Sequence, residues 1–295
     1  MEHENGKLQT GEIIVGDSSE VLKSFPDETF QVCVTSPPYW GLRDYGIERQ
    51  IGAESNLDDY INNLVMVFRE VRRTLRDDGT LWLNIGDSYT SGGRTWRQID
   101  KKNKARGMDY RAPTPDGLKP KDLIGVPWRL AFALQADGWY LRTEIVWNKP
   151  NGLPESVKDR PSRMHEYVFL LTKSERYFYN YEAMREVAAN GKKRAGRSVW
   201  NINTEPNKEA HFATFPTALV GKCLDAGAKP GCRVLDPFFG SGTVGLVCEI
   251  FRLNYTGIEL KSEYIEIAMN RLSHARGIIK IPTKHEQRTA LFADF

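Results

Sequence analysis

The sequence predicts an α/β fold, in which a parallel sheet is flanked by helices. Short apolar runs rich in β-branched residues alternate along the chain with segments of helical periodicity, which is the pattern of successive βαβ units. Near the C-terminal end, a glycine-rich turn joins a predicted strand to a predicted helix. With 295 residues, 40% of them hydrophobic, the chain is long enough to bury a large core.

Each element follows from a local signal. The longest helix has apolar residues at i, i+3 and i+4 from 57 to 75, and Asp77-Asp78-Gly79 is expected to end it. Pro127 suits the first turn of a second helix. The segments 88–125 and 180–211 lack a sustained period and are expected to be loops or insertions. In chain order, we predict a strand at 12–15, a helix at 18–25, a strand at 31–35, a helix at 57–75, a strand at 80–85, a helix at 127–135, strands at 141–147 and 167–172, a helix at 217–226, a strand at 233–236, a helix from 243, a strand at 255–259 and a helix from 262.

Several classes of protein are excluded by composition. The longest apolar runs are far shorter than the ~18 residues that suggest a membrane-spanning helix, and the polar start lacks an apolar signal segment. We therefore expect a cytoplasmic protein without a membrane partner. Its four cysteines show no C-x-x-C spacing and its five histidines no metal-ligand spacing, so neither a disulfide framework nor a metal site is predicted.

The formal net charge of +3 conceals two basic segments. Residues 91–121 carry nine cations against three acids, and residues 188–198 carry four cations and no acid. Solvated loops explain one such run, but two runs in an otherwise acidic chain favour a polyanionic partner. The residues predicted to contact this partner are Arg94, Arg97, Lys101, Lys102, Lys104, Lys192, Lys193, Arg194 and Arg197.

The glycine-rich turn at 240–245 fits G-x-G-x-x-G between a strand and a helix, and Glu259 follows 19 residues after Gly240. This spacing is typical of nucleotide-binding units, in which the acid accepts hydrogen bonds from ribose hydroxyls. Asp236 stands just before the turn, where a carboxylate would repel a pyrophosphate. S-adenosylmethionine has a ribose for Glu259, an α-amino group for Asp236 and no phosphate, so it fits these residues better than a dinucleotide.

A second motif, Ser36-Pro37-Pro38-Tyr39-Trp40, directly follows the strand predicted at 31–35. The prolines end the strand and fix nearby carbonyls as rigid acceptors, and Ser36 adds a hydroxyl. Tyr39 offers a flat surface on which a base could stack. Acceptors that draw on the two N–H bonds of an exocyclic amine favour a pyramidal nitrogen whose lone pair can attack. Ser36, Pro37, Pro38 and Tyr39 are therefore the candidate catalytic residues.

Over nearly its whole length, the chain resembles the amino-methylating DNA methyltransferases of bacterial restriction and modification systems. TSPPYW resembles the catalytic motif of that family and VLDPFFGSGT its methionine-binding motif, while Gly257-Ile258-Glu259 and Gly16-Asp17-Ser18 resemble the strand ends that hold the ribose and the adenine. The resemblance implies that S-adenosylmethionine is the cofactor. Its implied binding residues are Asp17, Ser18, Asp236, Phe238, Gly240, Gly242, Thr243 and Glu259.

Because the catalytic motif precedes the cofactor motif, the chain is similar to the circularly permuted β arrangement of this family. The resemblance implies a Rossmann-like, seven-stranded, mostly parallel sheet with one antiparallel strand. It also implies a single catalytic domain over 1–295, with DNA-recognition insertions at 91–121 and 188–209. The partners implied are double-stranded DNA and a cognate restriction endonuclease, in a bacterial or phage-encoded system.

The function predicted is transfer of a methyl group from S-adenosylmethionine to cytosine N4 in duplex DNA, with the base flipped out of the helix. In the resembling family, a serine at the first position of the catalytic motif goes with cytosine, whereas aspartate or asparagine goes with adenine. Adenine N6 remains the first alternative. Methylation of RNA or of a protein amide, a nicotinamide-dependent oxidoreductase and a non-catalytic nucleic-acid-binding protein also remain open.

Overall fold

The structure, a computed structural model, describes residues 11–41, 50–90, 113–205 and 215–278. Within these residues, the chain forms ten strands and six helices. In chain order, they are β1 (Gly11–Val15), α1 (Ser18–Lys23), β2 (Phe30–Thr35), α2 (Leu57–Thr74), β3 (Leu75–Ile85), α3 (Val126–Ala136), β4 (Tyr140–Asn148), β5 (His165–Thr172), β6 (Glu186–Val187), β7 (Lys193–Arg194), β8 (Val199–Asn201), α4 (Thr217–Gly227), β9 (Arg233–Asp236), α5 (Thr243–Phe251), β10 (Asn254–Glu259) and α6 (Ser262–Ile278).

Eight of the strands form one sheet in the order β1-β10-β9-β2-β3-β5-β4-β8, and β6 and β7 form a separate hairpin. β5 is antiparallel to both of its neighbours, β3 and β4, and the other pairs in the large sheet are parallel. The mostly parallel α/β architecture with one antiparallel strand is therefore confirmed. The count of seven strands is wrong, because the short strand β8 pairs with the end of β4.

Helices cover both faces of the sheet. One apolar core packs under α1, α2 and α3 and the other under α4, α5 and α6, and successive side chains of the central strands enter them alternately. On β2, for example, Cys33 belongs to the first core and Val32 and Val34 to the second. Strands buried on both faces have the continuous apolar sequence seen in QVCVT.

The predicted boundaries agree closely with the structure, except at the start of β3. α2 begins at the N-cap Asn56, whose side chain accepts from the Asp59 amide at 2.8 Å, and it ends at Thr74. Asp77-Asp78-Gly79 lies inside β3 rather than in a turn. Gln31 holds this segment against β2 through a hydrogen bond from its side-chain amide to the Asp78 carbonyl at 3.2 Å.

The four thiols are distributed through both cores. Cys33, Cys223 and Cys248 are buried, Cys232 is partly exposed just before β9, and none of the four forms a disulfide. Burial raises the pKa of each of these thiols. Among the helices of the described residues, we find no stretch long and apolar enough to cross a membrane.

Candidate active site

The carboxyl ends of the central strands enclose a cavity of about 280 Å³. The segment 36–39 enters it from the end of β2, and residues 237–241 with Thr243 enter it from the end of β9. This edge is where open α/β sheets bind ligands. The structure thus brings together two motifs that lie about two hundred residues apart in the sequence.

Glycine is required at different positions of the turn for different structural reasons. Gly240 and Gly242 have φ of +51° and +79°, in the left-handed region that side chains rarely adopt. Gly242 is also the N-cap of α5. At Gly245, a Cβ would lie 2.7 Å from the Phe239 ring, so this glycine is required by the packing of α5 on the sheet.

Glu259 ties the end of β10 to this turn. One carboxylate oxygen accepts the Gly240 amide at 2.8 Å, and the other accepts the Lys261 amide at 2.9 Å. Burial raises the pKa of Glu259, although these amides oppose the shift. The Gly242 amide donates to the Phe239 carbonyl at 2.9 Å. Both glycine amides therefore have protein acceptors and are not directed at a ligand.

Asp236 is only 2% exposed, and it is not among the residues that line the cavity. Its carboxylate accepts from the Thr35 hydroxyl at 2.7 Å and from the Phe238 amide at 3.1 Å. Burial raises the pKa of Asp236 to about 7. The adjoining Phe238 does line the cavity and packs edge-on against Phe68.

Asp17 and Ser18, at the end of β1, both line the cavity. Asp17 is the N-cap of α1 and accepts the Ser19 amide at 2.8 Å. The Ser18 hydroxyl donates to the Pro237 carbonyl, which connects the start of α1 to the turn after β9. The residues predicted to hold a nucleoside therefore lie in the same cavity as the catalytic candidates, with Asp236 just behind its wall.

Ser36, Pro37, Pro38 and Tyr39 all line the cavity. The Pro38 carbonyl already accepts from the Tyr60 hydroxyl at 2.8 Å, which leaves Ser36 and Pro37 to present acceptors to a ligand. Tyr39 donates its hydroxyl to Glu166 at 2.8 Å. Burial and the nearby Glu166 carboxylate raise the pKa of Tyr39 well above its ordinary value, so the phenol remains a donor at neutral pH.

Sequence reasoning missed several polar residues of the cavity, among them Asn84, Lys149 and Glu166. Each stands at the carboxyl edge of the sheet, since Asn84 is near the end of β3, Lys149 follows β4, and Glu166 is near the start of the antiparallel β5. The sequence signal that could have identified Glu166 is an acidic residue placed directly before the apolar run YVFLLT. Trp147, near the end of β4, is 2% exposed and also lines the cavity.

The second basic segment forms part of the β6–β7 hairpin. Lys192, Lys193 and Arg197 are exposed, whereas Arg194 is partly covered and lies 3.7 Å from Glu186. The hairpin leads directly into β8, the edge strand beside β4. The remaining candidate DNA-binding residues, Arg94, Arg97, Lys101, Lys102 and Lys104, lie outside the described residues.

Comparison with known proteins places these features in a family. The family of N6 and N4 methyltransferases described as DNA methylase matches residues 30–270. The chain is 62% identical to the Type II methyltransferase M.SmaI of Serratia marcescens over 271 residues, which is 91% of this chain and 93% of the relative.

Two solved structures share the fold. The PvuII DNA methyltransferase, titled cytosine-N4-specific, has a TM-score of 0.67 and 22% identity, covering 90% of this chain and 89% of its own. A putative DNA modification methylase from Thermus thermophilus, solved in complex with S-adenosyl-L-methionine, has a TM-score of 0.61 and 22% identity, covering 90% and 96%. With the family match over most of its length and the high identity to M.SmaI, the chain belongs to the DNA methylase family and is a DNA methyltransferase.

Proposed function

We propose that this enzyme transfers the methyl group of S-adenosylmethionine to N4 of a cytosine that has been flipped out of duplex DNA. The observation that carries the proposal is the single cavity lined by both the Ser36–Tyr39 element and the glycine-rich turn. A methyl donor held at the turn and a base held at Ser36 would share this space, which is the geometric requirement for direct transfer.

The residues at the turn fit S-adenosylmethionine better than a dinucleotide. In dinucleotide enzymes, the amides of such a turn and of the helix that follows face the pyrophosphate. Here the amides of Gly240 and Gly242 are satisfied by Glu259 and Phe239, so this turn lacks two of the donors that a phosphate requires. This favours a cofactor without a phosphate and disfavours the nicotinamide-dependent oxidoreductase.

The cofactor would be held at three points. Each oxygen of Glu259 accepts one amide and keeps a further lone pair for a ribose hydroxyl, while Asp17 would accept from the adenine amino group. Asp236 would pair with the α-amino group after a small shift away from Thr35. When bound, the cofactor supplies an electrophilic methyl group on a sulfonium sulfur.

The protein would activate the target amine through hydrogen-bond acceptors. Ser36 and the Pro37 carbonyl would accept from the two N–H groups of the amine, which draws its lone pair out of the ring. Tyr39 would stack against the flipped base. Cytosine is favoured over adenine because position 36 is a serine, and the structural likeness to an enzyme titled cytosine-N4-specific agrees with this choice.

The finer architecture belongs to the same proposal. We infer one catalytic domain with a circularly permuted order of motifs, whose DNA-recognition insertions are residues 91–121 and 188–209. Its partner system would be a restriction endonuclease that recognises the same DNA site, in the cytoplasm of a bacterial cell. The likeness to a Type II methyltransferase supports this pairing.

Nucleoside mass spectrometry tests the reaction. Duplex DNA treated with the enzyme and labelled S-adenosylmethionine is expected to yield N4-methylcytosine, and Ser36→Ala should reduce the yield. N6-methyladenine as the main product would refute the base assignment, and unmodified DNA beside labelled RNA or protein would contradict the assigned substrate. Sequencing methylated DNA from a methylation-free host that expresses the enzyme would identify the recognition site.

A further inference from the structure

Glu166 is at the centre of a hydrogen-bonded cluster in the cavity wall. One of its oxygens accepts from the Tyr39 hydroxyl at 2.8 Å and from the Asn84 side-chain amide at 3.2 Å. The other accepts from the Lys149 ammonium group. Because β5 is antiparallel to its neighbours, the start of this strand, rather than its end, brings Glu166 to the cavity.

Lys149 and Glu166 form a mostly buried ion pair, with side chains 20% and 18% exposed. The Lys149 ammonium also lies 4.3 Å from the centroid of the Trp147 ring. Removing two charges from water is costly, so such a pair is weak evidence of a role in stability alone. Here the pair fixes the direction in which the Glu166 carboxylate faces Tyr39.

The Tyr39 ring is constrained on two further sides. A Cβ placed on Gly86 would lie 2.7 Å from the ring, so the ring packs directly along the backbone of Gly86. The preceding carbonyl, that of Pro38, is held by Tyr60. With its hydroxyl donated to Glu166, the ring has little freedom to rotate or to tilt.

We propose that Glu166, braced by Lys149 and Asn84, is a positioning residue that holds the Tyr39 ring in the orientation on which the target base stacks. This inference rests on the proposed function, because it assumes that a base enters beside Ser36. Glu166 acts through the Tyr39 hydroxyl, and it takes no part in methyl transfer itself.

A double-mutant cycle tests this role. The variants Glu166→Ala, Tyr39→Phe and the two combined are compared by single-turnover methyl transfer at saturating DNA and S-adenosylmethionine. A misplaced ring should slow transfer by up to about 100-fold in Glu166→Ala. If Glu166 acts through the hydroxyl, the combined variant is no slower than the slower single variant. Multiplied effects, or an unchanged rate in Glu166→Ala, would overturn the proposal.

Glu166→Gln keeps the size of the side chain and an oxygen that accepts from Tyr39, so it should recover part of the rate lost in Glu166→Ala. If Glu166→Ala does not fold, the cycle is run with Glu166→Gln and judged by the same criterion. The fluorescence of pyrrolocytosine at the target position provides a second readout. It should be quenched by stacking in the wild-type complex and brighter in Glu166→Ala, and equal brightness would count against the role.

The chain contains a matched control on the other side of the sheet. Glu249 accepts from the Tyr255 hydroxyl at 3.2 Å and pairs with Arg276, so it repeats the arrangement of tyrosine, glutamate and cation away from the cavity. Glu249→Ala should lower the free energy of unfolding and leave the transfer rate unchanged. If wild-type enzyme methylates no DNA, the proposed function fails. If it methylates DNA and the cycle is multiplicative, only the role of Glu166 fails.

Discussion

At the scale of single residues, we expect Asp236 to link the protonation state of the protein to cofactor binding. Its pKa of about 7 lies above the ordinary value of 3.8 because the carboxyl group is buried. Because the pKa is higher in the folded state than in the unfolded state, the protonated carboxyl stabilises the fold. This stabilisation is complete below the unfolded-state pKa and is lost as pH rises through 7. The largest possible contribution is about 4 kcal/mol, at about 1.4 kcal/mol per pKa unit.

Asp236→Asn is expected to remove this dependence, since the amide oxygen still accepts from Thr35 and Phe238 but does not titrate. Without cofactor, the free energy of unfolding should decrease between pH 5 and pH 8 in wild type relative to the variant, as measured in urea at both values. A parallel pH dependence in the two proteins would contradict the assignment.

The same substitution should weaken the binding of S-adenosylmethionine by roughly 1.5–3 kcal/mol, because it removes a charge-assisted hydrogen bond. Wild-type affinity should fall as pH is lowered below 7, since Asp236 becomes neutral, while the affinity of the variant should not change in this range. Isothermal titration at pH 6 and pH 8 measures both effects.

At the scale of elements, the junction between the glycine-rich turn and α5 is closely packed. Gly242 has φ of +79°, and a Cβ there would lie 2.9 Å from the Ala268 Cβ on α6. Gly231 has a similar φ of +70° but no atom within 4 Å of the same position. Comparing substitutions at Gly231 and Gly242 therefore separates the cost of backbone strain from the cost of steric overlap.

Gly231→Ala is expected to cost about 1–2 kcal/mol of stability through the left-handed backbone alone. Gly242→Ala should cost about 1–3 kcal/mol more, because α6 must move away from the new methyl group. Urea unfolding of the two variants measures the difference. Equal losses would show that α6 adapts freely and that the turn tolerates a side chain.

The β6–β7 hairpin and the residues that follow it carry the exposed cations Lys192, Lys193 and Arg197. Changing Lys192, Lys193 and Arg197 to glutamine should reduce the slope of log K against log salt by about 0.9 for each phosphate that the protein no longer neutralises. Arg194, which faces Glu186, should contribute less. DNA binding measured over a range of salt concentrations gives the slope, and affinity for S-adenosylmethionine should not change.

A matched variant changes three other surface cations, Lys23, Arg69 and Arg176, to glutamine. Lys23 and Arg69 lie on α1 and α2, which cover the opposite face of the sheet from the core that includes Trp200 of β8. This variant has the same net charge as the hairpin variant but should keep the wild-type slope. Equal slopes in all three proteins would indicate that the hairpin is a solvated loop.

At the scale of the whole molecule, hydrophobic periodicity predicted the layered fold, and two short residue motifs predicted the segments that meet in the cavity. Both signals are local: a run such as QVCVT shows burial on two faces, and a glycine turn between strand and helix shows a ligand edge. The features that the sequence did not predict, such as β8, depend on contacts between residues that are distant in sequence. β8 is only three residues long, and it is defined by pairing with Val146–Asn148 and by stacking of Trp200 on Trp82.

The same reasoning explains which site residues were missed. Ser36 and Gly240 stand in motifs whose neighbouring residues indicate the role proposed for each. Glu166 stands in a strand whose direction cannot be read from the sequence. If β5 were parallel, Glu166 would lie at the opposite edge of the sheet from Tyr39. Sheet order and strand direction, which are set by the packing of the whole chain, therefore decide whether this acid belongs to the site.

The reactivity of the four native thiols can report where the folded protein opens locally. Cys33, Cys223 and Cys248 are enclosed on different elements, and Cys232 is the most accessible of the four. An alkylating reagent should therefore label Cys232 first and the other three only when the structure opens around them. Cys33 lies on β2, three residues before Ser36, so a bound cofactor should slow its labelling in particular. Peptide mass spectrometry of samples quenched at successive times would give the labelling rate of each cysteine. These rates would show which parts of the DNA-free enzyme open locally.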